Sequence, residues 1–66
     1  MITLGIDIGS ITTKAAVMKD GALLGAGVGF TGYNIGKAWH HVTDELFARL
    51  GLEFSAMEKI VSTGYG

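Results

Sequence analysis

The chain has 66 residues, 48% of them hydrophobic, and a formal net charge of −1. That length gives one unit with no internal boundary, burying only about 60% of its unfolded surface, and the small charge excludes electrostatic recruitment to nucleic acid or to an anionic membrane. Cysteine is absent, so disulfides and thiolate ligands are excluded, and no apolar run approaches the length of a membrane span. Met1 leads straight into a strand, with no basic n-region or cleavage pattern, so a cytoplasmic location without a signal peptide is expected. Eleven glycines and no proline read as turns and close backbone approaches rather than disorder.

The first predicted strand covers residues 2–8, where Ile2, Leu4, Ile6 and Ile8 alternate with Thr3, Gly5 and Asp7. Gly9-Ser10-Ile11-Thr12 breaks the alternation and predicts a tight turn. A second strand follows over 12–18, with Ala15 and Val17 on one face and Ala16 and Met18 on the other. Alanine is a poor strand former, so context must outweigh propensity there. Lys19-Asp20-Gly21 is a hairpin signal, because Asp-Gly suits positive φ. The third strand, 23–30, puts Gly25, Gly27 and Gly29 on one face and Leu24, Ala26, Val28 and Phe30 on the other. Such a bare face marks a bulge or a close approach.

Residues 31–34 form a polar loop in which Asn34 is a good N-cap. The period then changes to that of a helix over 34–50. Ile35, Ala38, Trp39, Val42, Leu46 and Leu50 share one face, with Phe47 at its edge. Lys37, His41, Asp44, Glu45 and Arg49 fall elsewhere and face solvent. Trp39 reads as core rather than as a platform for a base. His40 and His41 are adjacent and lack the i, i+4 spacing that would put two ligands on one metal, so they read as solvent-facing or helix-edge residues. Gly51 ends the helix, with Leu52 packing back on its last turn. Ser55-Ala56-Met57-Glu58 has capping-box form and predicts a single helical turn. A fourth strand over 59–62 is expected to be buried at Ile60 and Val61. A helix before it implies a crossover, so this strand should lie parallel to the first. Ligands in such sheets sit beyond the carboxyl ends of the parallel strands. Asp7 and Gly9 would therefore meet Thr63 and Gly64 at one place.

The turn after the first strand concentrates the polar chemistry. Gly9 leaves no Cβ in a ligand's way, and the amides around Gly9, Ser10 and Ile11 suit an anion nest. Ser10, Thr12 and Thr13 add hydroxyls, and Lys14 adds a positive charge. Asp7 would repel a phosphate unless a hydrated Mg²⁺ sits between them. If the turn pairs its strands antiparallel, Asp7 faces Lys14 and Ile8 faces Thr13. The residues alone leave two readings open: a phosphate-binding turn, or a solvated hairpin with an exposed Asp–Lys pair. No nucleophile–base pair is visible.

Asp7-Ile8-Gly9-Ser10 with Thr12-Thr13-Lys14 resembles the first phosphate motif of the actin-like ATPase superfamily, which includes sugar kinases, Hsp70 and actin. Within it the chain resembles the ATP-dependent activators of 2-hydroxyacyl-CoA dehydratases and the related benzoyl-CoA reductase subunits. Residues 4–14, Thr31-Gly32-Tyr33-Asn34 and Val61-Ser62-Thr63-Gly64-Tyr65-Gly66 carry this closer likeness. The resemblance implies the N-terminal part of an actin-like, ribonuclease H-like α/β domain with a mixed sheet, in which 23–30 is an ordinary edge strand. It implies ATP and Mg²⁺ as cofactors of a longer parent. Gly9, Ser10, Ile11, Thr12, Thr13, Lys14, Thr63 and Gly64 would contact nucleotide, and Asp7 the metal. The second phosphate motif, the adenosine pocket and the opposing half would lie beyond Gly66. Activators hold a [4Fe-4S] cluster between subunits through cysteines that are absent here.

The implied function is the phosphate-binding segment of an activase that drives electrons into an acyl-CoA dehydratase or reductase component. The alternatives are another superfamily member such as a sugar kinase, or a non-catalytic binding or assembly module. The 66 residues alone are expected to be catalytically silent. With one sheet face and the last strand's edge uncovered, they are expected to pair with the rest of the ATPase domain or with a second copy.

Overall fold

The computed structural model describes residues 1–32 and 34–64, except for the side chain of Ile35. Tyr33, Tyr65 and Gly66, which belong to two of the motifs above, lie outside the described residues, as does the expected facing of Ile35. Three antiparallel strands, β1 (Ile2–Ile8), β2 (Thr12–Lys19) and β3 (Ala22–Phe30), precede helix α1 (Ile35–Leu50). A 3₁₀ turn (Phe54–Ala56) then leads into β4 (Lys59–Gly64). The sheet order is β3-β2-β1-β4, with β4 parallel to β1 and the other pairs antiparallel. This is the mixed α/β sheet expected from the change of period.

Local chemistry explains the joints. Asp20 (φ 51) and Gly21 (φ 83) both take positive φ, the conformation that a two-residue turn between right-twisted strands requires. The Asn34 side chain accepts the Lys37 amide at 3.0 Å and starts α1. Gly51 (φ 68) ends it, and the Leu52 amide donates to the Phe47 carbonyl at 3.0 Å, a Schellman closure that seats Leu52 against the core.

One face of the sheet carries the core. Leu4, Ile6 and Ile8 of β1 lie in register with Val17, Ala15 and Thr13 of β2, and all six are buried. Against them α1 packs Ala38, Val42, Leu46 and Phe47, with Trp39 and Leu50 half-buried. The glycine stripe of β3 is where the helix comes closest. A Cβ on Gly25 would stand 2.9 Å from Leu50 Cδ2, and one on Gly29 2.7 Å from Val42 Cγ2. β3 also bulges opposite Val17 and Met18. Close approach and bulge, offered as alternatives by the sequence, both occur on this edge strand.

Three expectations need correction. Ile60 and Val61 are 46% and 43% exposed rather than buried. α1 lies mainly over β2 and β3, and among the described residues β4 is the edge strand of the sheet. β4 itself runs two residues further than expected, to Gly64. Finally, Ser55 makes no capping box, because the 3₁₀ turn is entered from Glu53 without a side-chain cap. The Glu58 carboxylate that a box would use instead accepts the Ile2 amide at 3.0 Å, while the Glu58 amide donates to the Ile2 carbonyl at 2.9 Å. Glu58 thus sets the start of β4 against the start of β1.

Candidate functional site

β1 is the central frame of the candidate site, because it is paired on both sides up to its last residue. Its register with β2 sets Asp7 opposite Lys14 and Ile8 opposite Thr13. Its register with β4 sets Asp7 opposite Thr63 and Ile8 opposite Gly64. The sheet therefore brings Asp7, Lys14 and Thr63 side by side on one face, at the end where both parallel strands finish. Thr63 donates its hydroxyl to Asp7 Oδ1 at 3.2 Å. Asp7 and Lys14 are both exposed, and the ion pairs among the described residues do not include one between them.

The turn between β1 and β2 has Ser10, Ile11 and Thr12 exposed and Gly9 half-buried. Gly9 donates its amide to the Thr12 carbonyl at 2.8 Å. A Cβ at Gly9 would lie 2.9 Å from that same oxygen, so only glycine closes the turn without strain. The amide of Gly9 is thereby used inside the turn. None of the turn and loop hydrogen bonds among the described residues uses the amides of Ser10 or Ile11. The donors that the turn leaves free are therefore these two amides and the exposed hydroxyls, not three consecutive amides. Residues 9–11 take no positive φ.

Thr13 is fully buried, and its hydroxyl lies 2.9 Å from that of Thr31. Of the hydroxyl residues proposed for the ligand, Thr13 thus faces the core while Ser10, Thr12 and Thr63 stay exposed. Thr31, which the sequence placed in a polar loop and in one of the resembling segments but not in the site, is 5% exposed and donates its hydroxyl to the Gly9 carbonyl at 2.9 Å. Nothing in the periodicity marked it, because a threonine at a strand end has the same pattern whether it is solvated or buried.

Next to this end of the sheet lies a shallow concavity of about 560 Å³ on the face opposite α1. Its floor is the row of small residues Gly5, Ala16 and Ala26, with Val28 and Val61 at its sides. Asp7, Lys14 and Thr63 stand at one end. The trough is apolar, so it suits packed side chains better than a polyphosphate. The charged chemistry is confined to the strand tips. The histidines stand apart from both: His40 stacks on Trp39 with centroids 3.9 Å apart, and His41 Nε2 lies 3.5 Å from Glu45 Oε2. Among the described residues no three metal-binding side chains converge, and no helix is long and apolar enough to cross a membrane.

No protein-family model matches the chain. A 2-hydroxyisocaproyl-CoA dehydratase activator of Clostridioides difficile is 33% identical over 72 aligned residues, which span all of this chain and 25% of that protein. An uncharacterised protein of Methanocaldococcus jannaschii is 43% identical over 65 residues, 98% of this chain and 15% of its own length. Component A of the (R)-2-hydroxyglutaryl-CoA dehydratase of Acidaminococcus fermentans superposes with a TM-score of 0.89 at 27% identity, over 100% of this chain and 26% of that one. The Clostridium difficile activator of 2-hydroxyisocaproyl-CoA dehydratase, solved with bound ADPNP, superposes at 0.85 and 32% identity, covering 100% and 25%. The chain thus spans between 15% and 26% of the length of the relatives it matches.

Proposed function

From a chain similar in sequence and fold, over its whole length, to activators of 2-hydroxyacyl-CoA dehydratases, we propose that these residues form the phosphate-binding segment of an ATP-dependent activase serving an acyl-CoA dehydratase component. The observation that carries this reading is the meeting of the two parallel strand tips, with Asp7 and Thr63 joined at 3.2 Å beside the Gly9 turn. In support, one of the superposing activators is solved with bound ADPNP.

In this reading the Ser10 and Ile11 amides, the Ser10 and Thr12 hydroxyls and the Lys14 ammonium meet phosphate oxygens, with Gly9 leaving them room. Thr13 holds the turn from the core side. Thr63 and Gly64 close the site from β4. Asp7 is the group that fits Mg²⁺: a single exposed carboxylate, one oxygen held by Thr63, suits an ion that keeps most of its waters and takes one or two carboxylates. Bound there, Mg²⁺ would neutralise charge between Asp7 and the phosphates. The chain's own contribution is positioning and neutralisation rather than nucleophilic attack. A [4Fe-4S] cluster does not fit these residues, since the sequence has no cysteine.

Two experiments test the proposal. In a chain of the relatives' length that contains these residues, Asp7→Ala should abolish Mg²⁺-dependent ATP turnover with the fold intact. Lys14→Ala should weaken nucleotide binding roughly ten- to a hundredfold, the loss of a charge-assisted hydrogen bond. Unchanged turnover in the Asp7 variant would refute the metal role. The 66 residues alone should show no ATPase activity above background, and activity that vanishes with Asp7→Ala would overturn that.

A further inference from the structure

Thr31 stands just past β3, on the core side of the β1–β2 turn, and touches that turn twice. Its amide donates to the Ile11 carbonyl at 2.8 Å, and its hydroxyl donates to the Gly9 carbonyl at 2.9 Å. A hydroxyl has one proton, so in the 2.9 Å contact between Thr31 and Thr13 the donor must be Thr13. The result is a directed chain from the buried Thr13 hydroxyl through Thr31 to the Gly9 carbonyl. No buried side-chain polar atom among the described residues lacks a partner.

The consequence for the turn follows from peptide geometry. In a closed antiparallel pair, Gly9 and Thr12 would exchange two hydrogen bonds. Here Gly9 donates to Thr12, but among the described residues the return bond is absent, and the Gly9 carbonyl takes the Thr31 hydroxyl instead. The Gly9–Ser10 peptide bond, like the others among the described residues, is trans, so its carbonyl and amide point to opposite sides. Drawing the Gly9 carbonyl toward Thr31 therefore turns the Ser10 amide away from the core. That amide is one of the two that the turn leaves without a backbone acceptor.

We infer that Thr31 is a positioning residue that holds the Gly9–Ser10 peptide so that the Ser10 amide is presented to an anionic oxygen of a polyphosphate. This rests on the phosphate-binding reading of the turn. Thr31 itself does not touch the ligand. Its hydroxyl faces the Gly9 carbonyl, and its neighbour Gly32, at φ 65, begins the departure of the chain toward α1.

The test measures magnesium ADPNP binding in a chain of the relatives' length that contains these residues, and the order of the turn by ¹⁵N relaxation of the ligand-free 66-residue chain. Thr31→Val keeps the shape and the amide bond to Ile11 but removes the hydroxyl. It should weaken binding roughly tenfold and, without ligand, should lower the heteronuclear NOE of residues 9–12 while leaving that of α1 unchanged. Thr31→Ser should restore both. Thr43→Val removes an equally buried hydroxyl that bonds only to the Trp39 and His40 carbonyls of α1, and it should bind within about twofold of the parent chain. Thr31→Val with unchanged affinity and unchanged turn order would overturn the inference. So would a Thr43→Val variant that loses as much as Thr31→Val, since the loss of any buried hydroxyl rather than of the turn bond would then be responsible. A parent chain that ignores ADPNP refutes the phosphate reading alone. The ligand-free NOE still decides whether Thr31 orders the turn, and no difference between the Val and Ser variants counts against it. Should Thr31→Val not fold, Thr31→Ala carries the same comparison.

Discussion

A methyl group at Gly29 would stand 2.7 Å from Val42 Cγ2, whereas one at Gly27 would stand 3.5 Å from Val42 Cγ1, an ordinary contact. The difference is testable because both glycines sit on the same face of one strand. Val42 is β-branched and stiff at χ1, so it cannot swing aside. Gly29→Ala should therefore cost about 1–3 kcal/mol by overpacking, while Gly27→Ala should be neutral or slightly stabilising through the lost flexibility of the unfolded chain. Gly25→Ala falls between them, since it meets the flexible end of Leu50. Urea titration of the three variants checks the order, and equal losses at Gly27 and Gly29 would contradict it. At this scale the sequence was informative where a residue type has few uses. Three alternating glycines announced a bulge or a close approach, though neither which of the two nor which element approaches. The Thr13–Thr31 pair was illegible for the opposite reason. A threonine hydroxyl can meet water, phosphate or another hydroxyl equally well, and only the tertiary structure decides.

At the scale of elements, most local signals were read correctly, the Ser55 capping box excepted, whereas the burial of β4 was not. The Asp20-Gly21 turn and the two caps of α1 need only a few neighbouring residues, and they formed where expected. The exposure of Ile60 and Val61 depends on how many layers cover β4, which no local pattern encodes. The β1–β2 hairpin also carries a charge pair at its far end, where the Met1 ammonium donates to the Asp20 carboxylate. That hydrogen bond raises the pKa of the ammonium above its ordinary 8.0 and lowers that of Asp20 below 3.8. The Asp20 part of the stabilisation is fully present above pH 3.8 and is lost as pH falls through the depressed value. The ammonium part is fully present below pH 8.0 and is lost as pH rises through the elevated value. Thermal stability of the 66-residue chain at low salt should therefore fall at both limbs. Asp20→Asn, which keeps a turn-compatible residue, should flatten them. Both groups are exposed, so the effect should be small and should fade at high ionic strength. A pH profile that Asp20→Asn leaves unchanged would show that the pair contributes nothing.

For the molecule as a whole, the decisive feature is that one helix covers one face. Leu24, Val28, Phe30 and Val61 remain 41%, 65%, 75% and 43% exposed, and β4 offers an unpaired edge. The other edge is partly blocked, because Arg49 Nη2 donates to the Ala26 carbonyl of β3 at 2.8 Å. Self-association should therefore proceed through β4. Light scattering across a dilution series should show concentration-dependent mass, and Val61→Lys should abolish it. A monomer at every concentration would refute this. The parallel pairing of β4 with β1 has a further consequence, in time rather than in space. Thr63 reaches Asp7 across a sequence separation of 56 residues, whereas the three-stranded meander closes through short turns. Loop-closure entropy makes such distant pairing slow compared with a hairpin. In refolding, signals from the meander should recover before the Asp7–Thr63 contact does. The candidate site is thus the last part of the molecule to exist, and the first to vanish when β4 peels away, so any ligand held there would report on the final step of folding.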